Sequence, residues 1–353
     1  MHGFELSDEQ TMVQETVRKL VREDIGPSAL AHDEHRSFAR GGFEQLAEMG
    51  FLGLPVSEDA GGAGMGMVAF AIALEELAKG CGSTARLVLV HAGLSGLALE
   101  GLEAGGELIE NIVTGGKLVS FIGPESKIMA VGDELTGVVP MATAAMEADL
   151  FLVAATGEEP GLFVVSSDKV ERRDVAALGF RASAPGEVTF AGQGARIASG
   201  SDAKAATERA TLAACVGGGA IATGLATASF ELALVHAHDR VAFGKPLFRQ
   251  QAVGHKLVEG LRQFHAARHL VYRAAELVDA GSDTALQASM LAKLDAVEAA
   301  VLGADEAIQI HGGFGFTVEY HVERHYRDAK TLEVLDHGAD WLRDQLTETI
   351  ALR

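Results

Sequence analysis

Gln309-Ile310-His311-Gly312-Gly313-Phe314-Gly315-Phe316 closes one helical run and leads into Glu319-Tyr320-His321-Val322-Glu323-Arg324-His325-Tyr326-Arg327-Asp328-Ala329-Lys330. Three glycines within four positions can serve as a helix C-cap and turn. They also bare backbone N–H groups where a pyrophosphate or an adenine can approach, since no Cβ stands in the way. Asp239-Arg240-Val241-Ala242-Phe243-Gly244-Lys245-Pro246-Leu247 repeats the pattern of helix, break and helix, and continues into Gln250-Gln251-Ala252-Val253. Its Arg240 ends a long helical run, where a guanidinium can bond that helix's own carbonyls or reach an anionic cofactor at the break.

Working outward from these strings, proline marks the architecture, because it is barred from helix interiors and the chain has only 7. Pro124, Pro140, Pro160 and Pro185 share one central stretch, whereas residues 56–123 have none and residues 186–353 only Pro246. The flanks therefore read as helical. Ser7 precedes Gln10 as in a capping box, and Met12, Val13, Val17, Leu20 and Val21 follow at helical spacing. A short helix over Phe43 to Met49 ends at Gly50, and a Gly61-Gly62-Ala63-Gly64 loop precedes a helical run through Glu75 and Glu76. Short β-prone runs occupy the centre: Leu118 to Ile122, Leu150 to Ala155, Gly161 to Ser166 and Glu187 to Phe190. Four helical segments come after: Ala210 to His238, Gln251 to Ala280, Thr284 to His311 and Glu333 to Leu352, with Gly312 to Asp328 as a connector. The predicted fold class is α+β, mainly α. An N-terminal helical domain (1–115), a small middle β domain (116–195) and a C-terminal four-helix bundle (196–353) make it up.

Composition narrows the partners. The 353 residues are 48% hydrophobic and 22% charged, ordinary for a folded chain. Lys and Arg total 29 against 49 Asp and Glu, a net charge of −20 that repels nucleic acid and anionic lipid. Two cysteines, Cys81 and Cys215, match neither a disulfide framework nor a zinc site, and Met1 to Glu9 lacks a basic region followed by an apolar one, so a cytoplasmic location is expected. Ala210 to Phe230 carries no charge, but its Ala, Gly and Thr content and the run Gly217-Gly218-Gly219 point to a core helix rather than a membrane span. His265 with His269, and His321 with His325, are each four apart, yet no third ligand lies at metal-site spacing, and no metal is expected. Trp341 reads as packing in the last helix, and Cys215 as a small core residue.

The two quoted strings, together with Phe51-Leu52-Gly53-Leu54-Pro55-Val56-Ser57-Glu58, Gly61 to Gly64 and Leu74-Glu75-Glu76-Leu77-Ala78, resemble the acyl-CoA dehydrogenase family, in the same order and over nearly the whole chain. The resemblance implies that family's fold and its reaction, FAD-dependent oxidation of an acyl-CoA thioester to the 2,3-enoyl form, with electrons passed to an electron-transfer flavoprotein. It implies that Arg240, Phe243, Gln251, Gln309, Gly312 and Gly313 contact the diphosphate and adenosine of FAD held mainly by a neighbouring subunit, hence a homo- or hetero-oligomer.

The middle region departs from the family. Where members carry a Thr-Glu-Pro segment and then Gly-Ser-Asp, this chain reads Ser120-Phe121-Ile122-Gly123-Pro124-Glu125-Ser126, and the stretch beyond Ser126 is shortened. Met141-Ala142-Thr143 stands where a Trp-Ile-Thr triplet lines the flavin, keeping only Thr143. The family's Glu-Gly-Thr loop corresponds to Lys330-Thr331-Leu332-Glu333-Val334-Leu335-Asp336-His337-Gly338. An ungapped count puts Asp336 at the catalytic base, and aligning the glycine puts His337 there; a chain with no base of its own is the third reading. The last of these implies a family member that completes a partner subunit's FAD site without turnover.

Overall fold

A computed structural model describes residues 5–351. The capping box opens it: Gln10 N–H donates to Ser7 Oγ (3.1 Å) and Ser7 N–H to Gln10 Oε1 (3.0 Å), starting α1 (Asp8–Leu20), which buries Val13, Val17 and Leu20. Helices α2 (Gly26–His35), α3 (Arg40–Glu48), α4 (Gly66–Gly80), α5 (Gly82–Leu99) and α6 (Gly106–Thr114) complete the N-terminal part. The adjacent acids on α4 are buried and each has its own cation. Glu75 accepts from Arg268 (2.6 Å) and the Tyr272 hydroxyl (2.9 Å), and Glu76 from Arg18 (2.9 Å) and Lys79 (2.9 Å), which ties α4 to both ends of the chain.

The middle part is an eight-stranded sheet of β1 (Val119–Ile122), β2 (Met129–Val131), β3 (Glu134–Ala142), β4 (Leu150–Gly157), β5 (Gly161–Ser166), β6 (Glu171–Asp174), β7 (Gly186–Gln193) and β8 (Ala195–Ser199). Its order is β6-β7-β3-β2-β4-β5-β8, with β1 parallel to β4. Sequence patterning finds β1, β4, β5 and β7 only. Strand β3 is hidden by Gly137 and Pro140; the register against β7 slips between Val139 and Ala142, so the proline sits in an irregularity that needs no ladder N–H. His91 on α5 fastens the sheet to the helices: its Nδ1 accepts from Val119 N–H (3.1 Å) while Nε2–H donates to the Ile112 carbonyl (2.9 Å). Burial lowers its pKa to about 4, so the ring is neutral.

The C-terminal part holds α7 (Gly200–Asp239), α8 (Gln251–Asp279), α9 (Ala285–His311), α10 (His321–Leu332) and α11 (Ala339–Ala351), with a small β9–β10 ladder (Val241–Ala242, Lys245–Pro246) after α7. Two features here correct the sequence reading. The expected connector contains α10, and the last helix begins at Ala339 instead of Glu333 because residues 333–338 form a turn; Leu352 lies outside the described residues. Two helical windows, in α5 and α7, are long and apolar enough to cross a membrane, but 94% and 89% of them are buried inside the protein. The glycines of α7 explain its burial. A Cβ at Gly224 would lie 2.4 Å from the Glu75 carbonyl, so only glycine there lets α4 come this close, and one at Gly217 would lie 2.3 Å from Leu89 Cδ1 and push that side chain aside.

Candidate active site

A cavity of about 560 Å³ opens between the sheet and the bundle. Ala155 of β4, Thr207 and Thr211 of α7, Met290 of α9, and His337 with Trp341 supply its mostly apolar wall. Trp341 packs from the last helix against the Cys215, Met290 and Leu342 cluster, as expected, and it also lines the cavity and stacks on His337 at 4.0 Å.

At the His337 end the fold gathers five charged or titratable groups from distant parts of the sequence. Arg86 of α5, 4% accessible, gives both Nη atoms to the Asp336 carboxylate, one of them at 2.7 Å, and its Nε to Thr143 Oγ1 at 3.0 Å. Lys293 of α9 is buried and donates to the main-chain carbonyls of Leu335 (2.9 Å), Asp336 and His337 (3.3 Å). Asp336 and His337 both have positive φ, 44° and 67°, a strained state for residues with side chains. The twist lets three successive carbonyls face one ammonium. Glu125, in the turn after β1, places Oε2 3.6 Å from His337 Nδ1, and only 29% of its side chain is accessible.

The two carboxylates are tuned in opposite directions. Burial alone would raise the Asp336 pKa, but Arg86 and then Lys293 outweigh it and hold the group below the usual range. Burial, followed by the negative charge of Asp336, pushes Glu125 up to about 7. Burial, then Lys293, brings His337 down to about 4, and the Lys293 pKa is lowered by the same desolvation. A carboxyl raised on folding stabilises fully below its unfolded value, 4.5 for Glu125, and that contribution is lost as pH rises through about 7. Relative to Glu125→Gln, the wild type should therefore lose roughly 2–3 kcal/mol between pH 4.5 and 8, as read from urea unfolding at each pH. Asp328, raised to about 6 by burial, titrates in both proteins and cancels in the difference.

The structure sorts the sequence-derived site residues into two groups. Thr143, Asp336 and His337 belong to this cluster. Arg240, Phe243, Gln251, Gln309, Gly312 and Gly313 are all exposed at the other end of the bundle, where His236 of α7 stacks on His311 of α9 at 4.3 Å. Among the described residues the Arg240 guanidinium has no hydrogen-bond or ion-pair partner, and Phe243 is 97% exposed at a φ of 53°. A Cβ at Gly312 or Gly313 would meet nothing within 4 Å, so an open main-chain face lies beside a free cation and a bare aromatic ring. That combination suits a dinucleotide's diphosphate and adenosine. Thr211 and Arg240 both lie on or at the end of α7, and at 1.5 Å per residue they are separated by about 40 Å.

Arg86, Lys293 and Glu125 escape the sequence reading. A signal exists for Arg86, the only Lys, Arg, Asp or Glu within Gly82–Leu99. A cation alone in so apolar a run demands a distant anion.

Comparison with known proteins gives concordant results. Family models described as the acyl-CoA dehydrogenase N-terminal and C-terminal domains match residues 7–104 and 204–350. The chain is 31% identical to a probable acyl-CoA dehydrogenase, YngJ, of Bacillus subtilis, covering 94% of this chain and 95% of that protein. It is 32% identical to benzylmalonyl-CoA dehydrogenase of Aromatoleum aromaticum over 93% and 94% of the two chains. The butyryl-CoA dehydrogenase structure from Megasphaera elsdenii superposes with a TM-score of 0.89 at 25% identity, covering 99% of this chain and all of that one.

Proposed function

Because this chain belongs to the acyl-CoA dehydrogenase family, we propose that it removes hydrogen from the α and β carbons of an acyl-CoA thioester seated in the cavity beside His337. It is an oxidoreductase with FAD as its cofactor. Bound FAD supplies the acceptor for the β-hydride, and its electrons go on to an electron-transfer flavoprotein. The observation that carries the reading is the cavity itself, a mostly apolar cleft of about 560 Å³ whose wall includes His337, the member of the acid–base cluster that reaches it. Arg240, Phe243, Gln251, Gln309, Gly312 and Gly313 hold the diphosphate and adenosine, but they lie about 40 Å along α7 from Thr211 at the cavity. The bundle end of one chain therefore serves the flavin of another, which makes the active form an oligomer. Asp336, the base expected from the sequence, is in this reading the counter-ion that seats Arg86. Cys81 and Cys215 are both free and buried, which suits a reducing compartment, and we assign the protein to the cytoplasm.

A second reading, a mixed assembly, is favoured by the ring-side hydrogen bonds. The Ser120 hydroxyl is spent on the Thr143 carbonyl at 2.7 Å, and Thr143 Oγ1 already accepts from Arg86. A related partner chain then supplies flavin-ring donors, and in the extreme case this chain only completes the partner's site. Purification of the chain with and without such a partner tests both readings. Stoichiometric FAD bleached anaerobically by acyl-CoA in the chain alone gives a homo-oligomeric dehydrogenase. Colourless protein that gains flavin and activity only with the partner gives the mixed form. Protein without flavin in either case refutes the assignment.

A further inference from the structure

We propose that Glu125, paired with His337, is the residue that accepts the substrate α-proton. This rests on the dehydrogenase reading above and deepens it. The hydrogen bonds around His337 fix its tautomer. The Thr211 hydroxyl donates to the Thr207 carbonyl at 2.9 Å, so when His337 Nε2 approaches Thr211 Oγ1 at 3.3 Å, the hydrogen must come from the ring. With Nε2 protonated, neutral His337 presents a bare lone pair at Nδ1, which is buried without a hydrogen-bond partner. The atom facing it is Glu125 Oε2 at 3.6 Å. That lone pair is satisfied only when Glu125 carries a proton, so the pair is built to take up one proton and keep it.

Position agrees with this duty. Pro124 and His337, on either side of Glu125, both line the cavity, and 29% of the Glu125 side chain is accessible. The other carboxylate in reach, Asp336, has both oxygens engaged by Arg86. The charged groups acting on Glu125 are Asp336 and His337 of the turn, Lys293 of α9 and Arg86 of α5. Burial and Asp336 favour the protonated acid, whereas a hydrogen bond from Glu125's own backbone N–H and then the two cations oppose it. The balance leaves a carboxylate with a proton affinity near neutrality, the optimum for a general base. In the step itself the α-C–H bond breaks, its proton goes to Glu125 Oε2, and its electron pair forms the Cα=Cβ bond as the β-hydride leaves to FAD. The new Glu125 O–H then donates to His337 Nδ1. His337 is a positioning residue, because it acts through Glu125.

The test uses Glu125→Gln, His337→Gln and Asp336→Asn in the flavinated enzyme, with partner chain if one is needed, and butyryl-CoA and a longer acyl-CoA as probes. Anaerobic flavin bleaching by Glu125→Gln should slow at least about 100-fold with little change in KM. The wild-type rate should rise with pH to a plateau above about 7, and His337→Gln should move that midpoint while retaining a measurable rate. A second readout needs neither flavin nor turnover. The infrared band of a protonated carboxylic acid in the cofactor-free chain should fade as pH passes through about 7, and the part of it belonging to Glu125 should be absent from Glu125→Gln. An unchanged band in Glu125→Gln overturns the proposal, as does retention of the wild-type rate and pH midpoint while Asp336→Asn loses both. If wild type bleaches with neither probe yet the band behaves as expected, the dehydrogenase reading fails while the proton-holding pair stands.

Discussion

Arg86→Met should destabilise the protein by about 3–5 kcal/mol, because it leaves the Asp336 carboxylate buried without its cation. The Asp336 side chain is only 13% accessible, so water cannot replace the guanidinium, and Lys293 is already committed to three main-chain carbonyls. Burial then dominates, and the Asp336 carboxyl rises from its depressed position and takes up a proton. The loss should accordingly be smaller at pH 4 than at pH 8. Adding Asp336→Leu should recover most of the stability, since a buried ion pair replaced at both ends leaves no orphaned charge. Chemical denaturation of the single and double variants at the two pH values measures all of this. Equal stability of Arg86→Met and wild type at pH 8 would show that the pair contributes nothing.

The second large effect is expected at the opposite end of the bundle. Arg240→Ala should weaken FAD binding about 10- to 100-fold, the value of one or two charge-assisted hydrogen bonds to a phosphate, with no loss of thermal stability in the cofactor-free chain. Stability should hold because Arg240 supports nothing in its own chain; among the described residues its guanidinium has no bonded partner. Arg240→Lys should recover only part of the affinity, since an ammonium cannot grip a diphosphate in bidentate fashion. Flavin titration by fluorescence, alongside unfolding of the apo protein, separates binding from folding. Full affinity in Arg240→Ala would remove this residue from the cofactor site.

The range of each interaction determines whether it is legible in the sequence. Ser7 with Gln10, the glycines around 312 and the gap in prolines from 56 to 123 act through neighbours a few residues away, so their pattern is visible in a linear reading. Arg86 and Asp336 are 250 positions apart, and no local pattern announces that a helix near the start holds the turn near the end. The same holds for Glu125 and His337, which meet only once the sheet has docked on the bundle. Glu125 lies inside the segment that departs from the family signature, where the eye goes to a lost threonine rather than to an acid. Trp341 is legible as a packing residue of the last helix, but not as a cavity residue, because the groups it shares the cavity with lie on β4, α7 and α9. Strand β3 is concealed because its proline falls where the ladder is already irregular.

The length of α7 has a genetic consequence. In the proposed assembly, one continuous helix would touch its own chain's acid–base pair through Thr211 and offer Arg240 to a neighbour's flavin, so a lesion in the pair and a lesion at Arg240 would fall on different catalytic centres. Consider a cell expressing two defective alleles, one Arg240→Ala and the other Glu125→Gln. When the two chains assemble, one centre combines the intact Glu125 of the first with the intact Arg240 of the second and contains no lesion, while its counterpart contains both. Two alleles that are each defective in isolation would thus complement each other in trans, the behaviour of a centre divided between polypeptides.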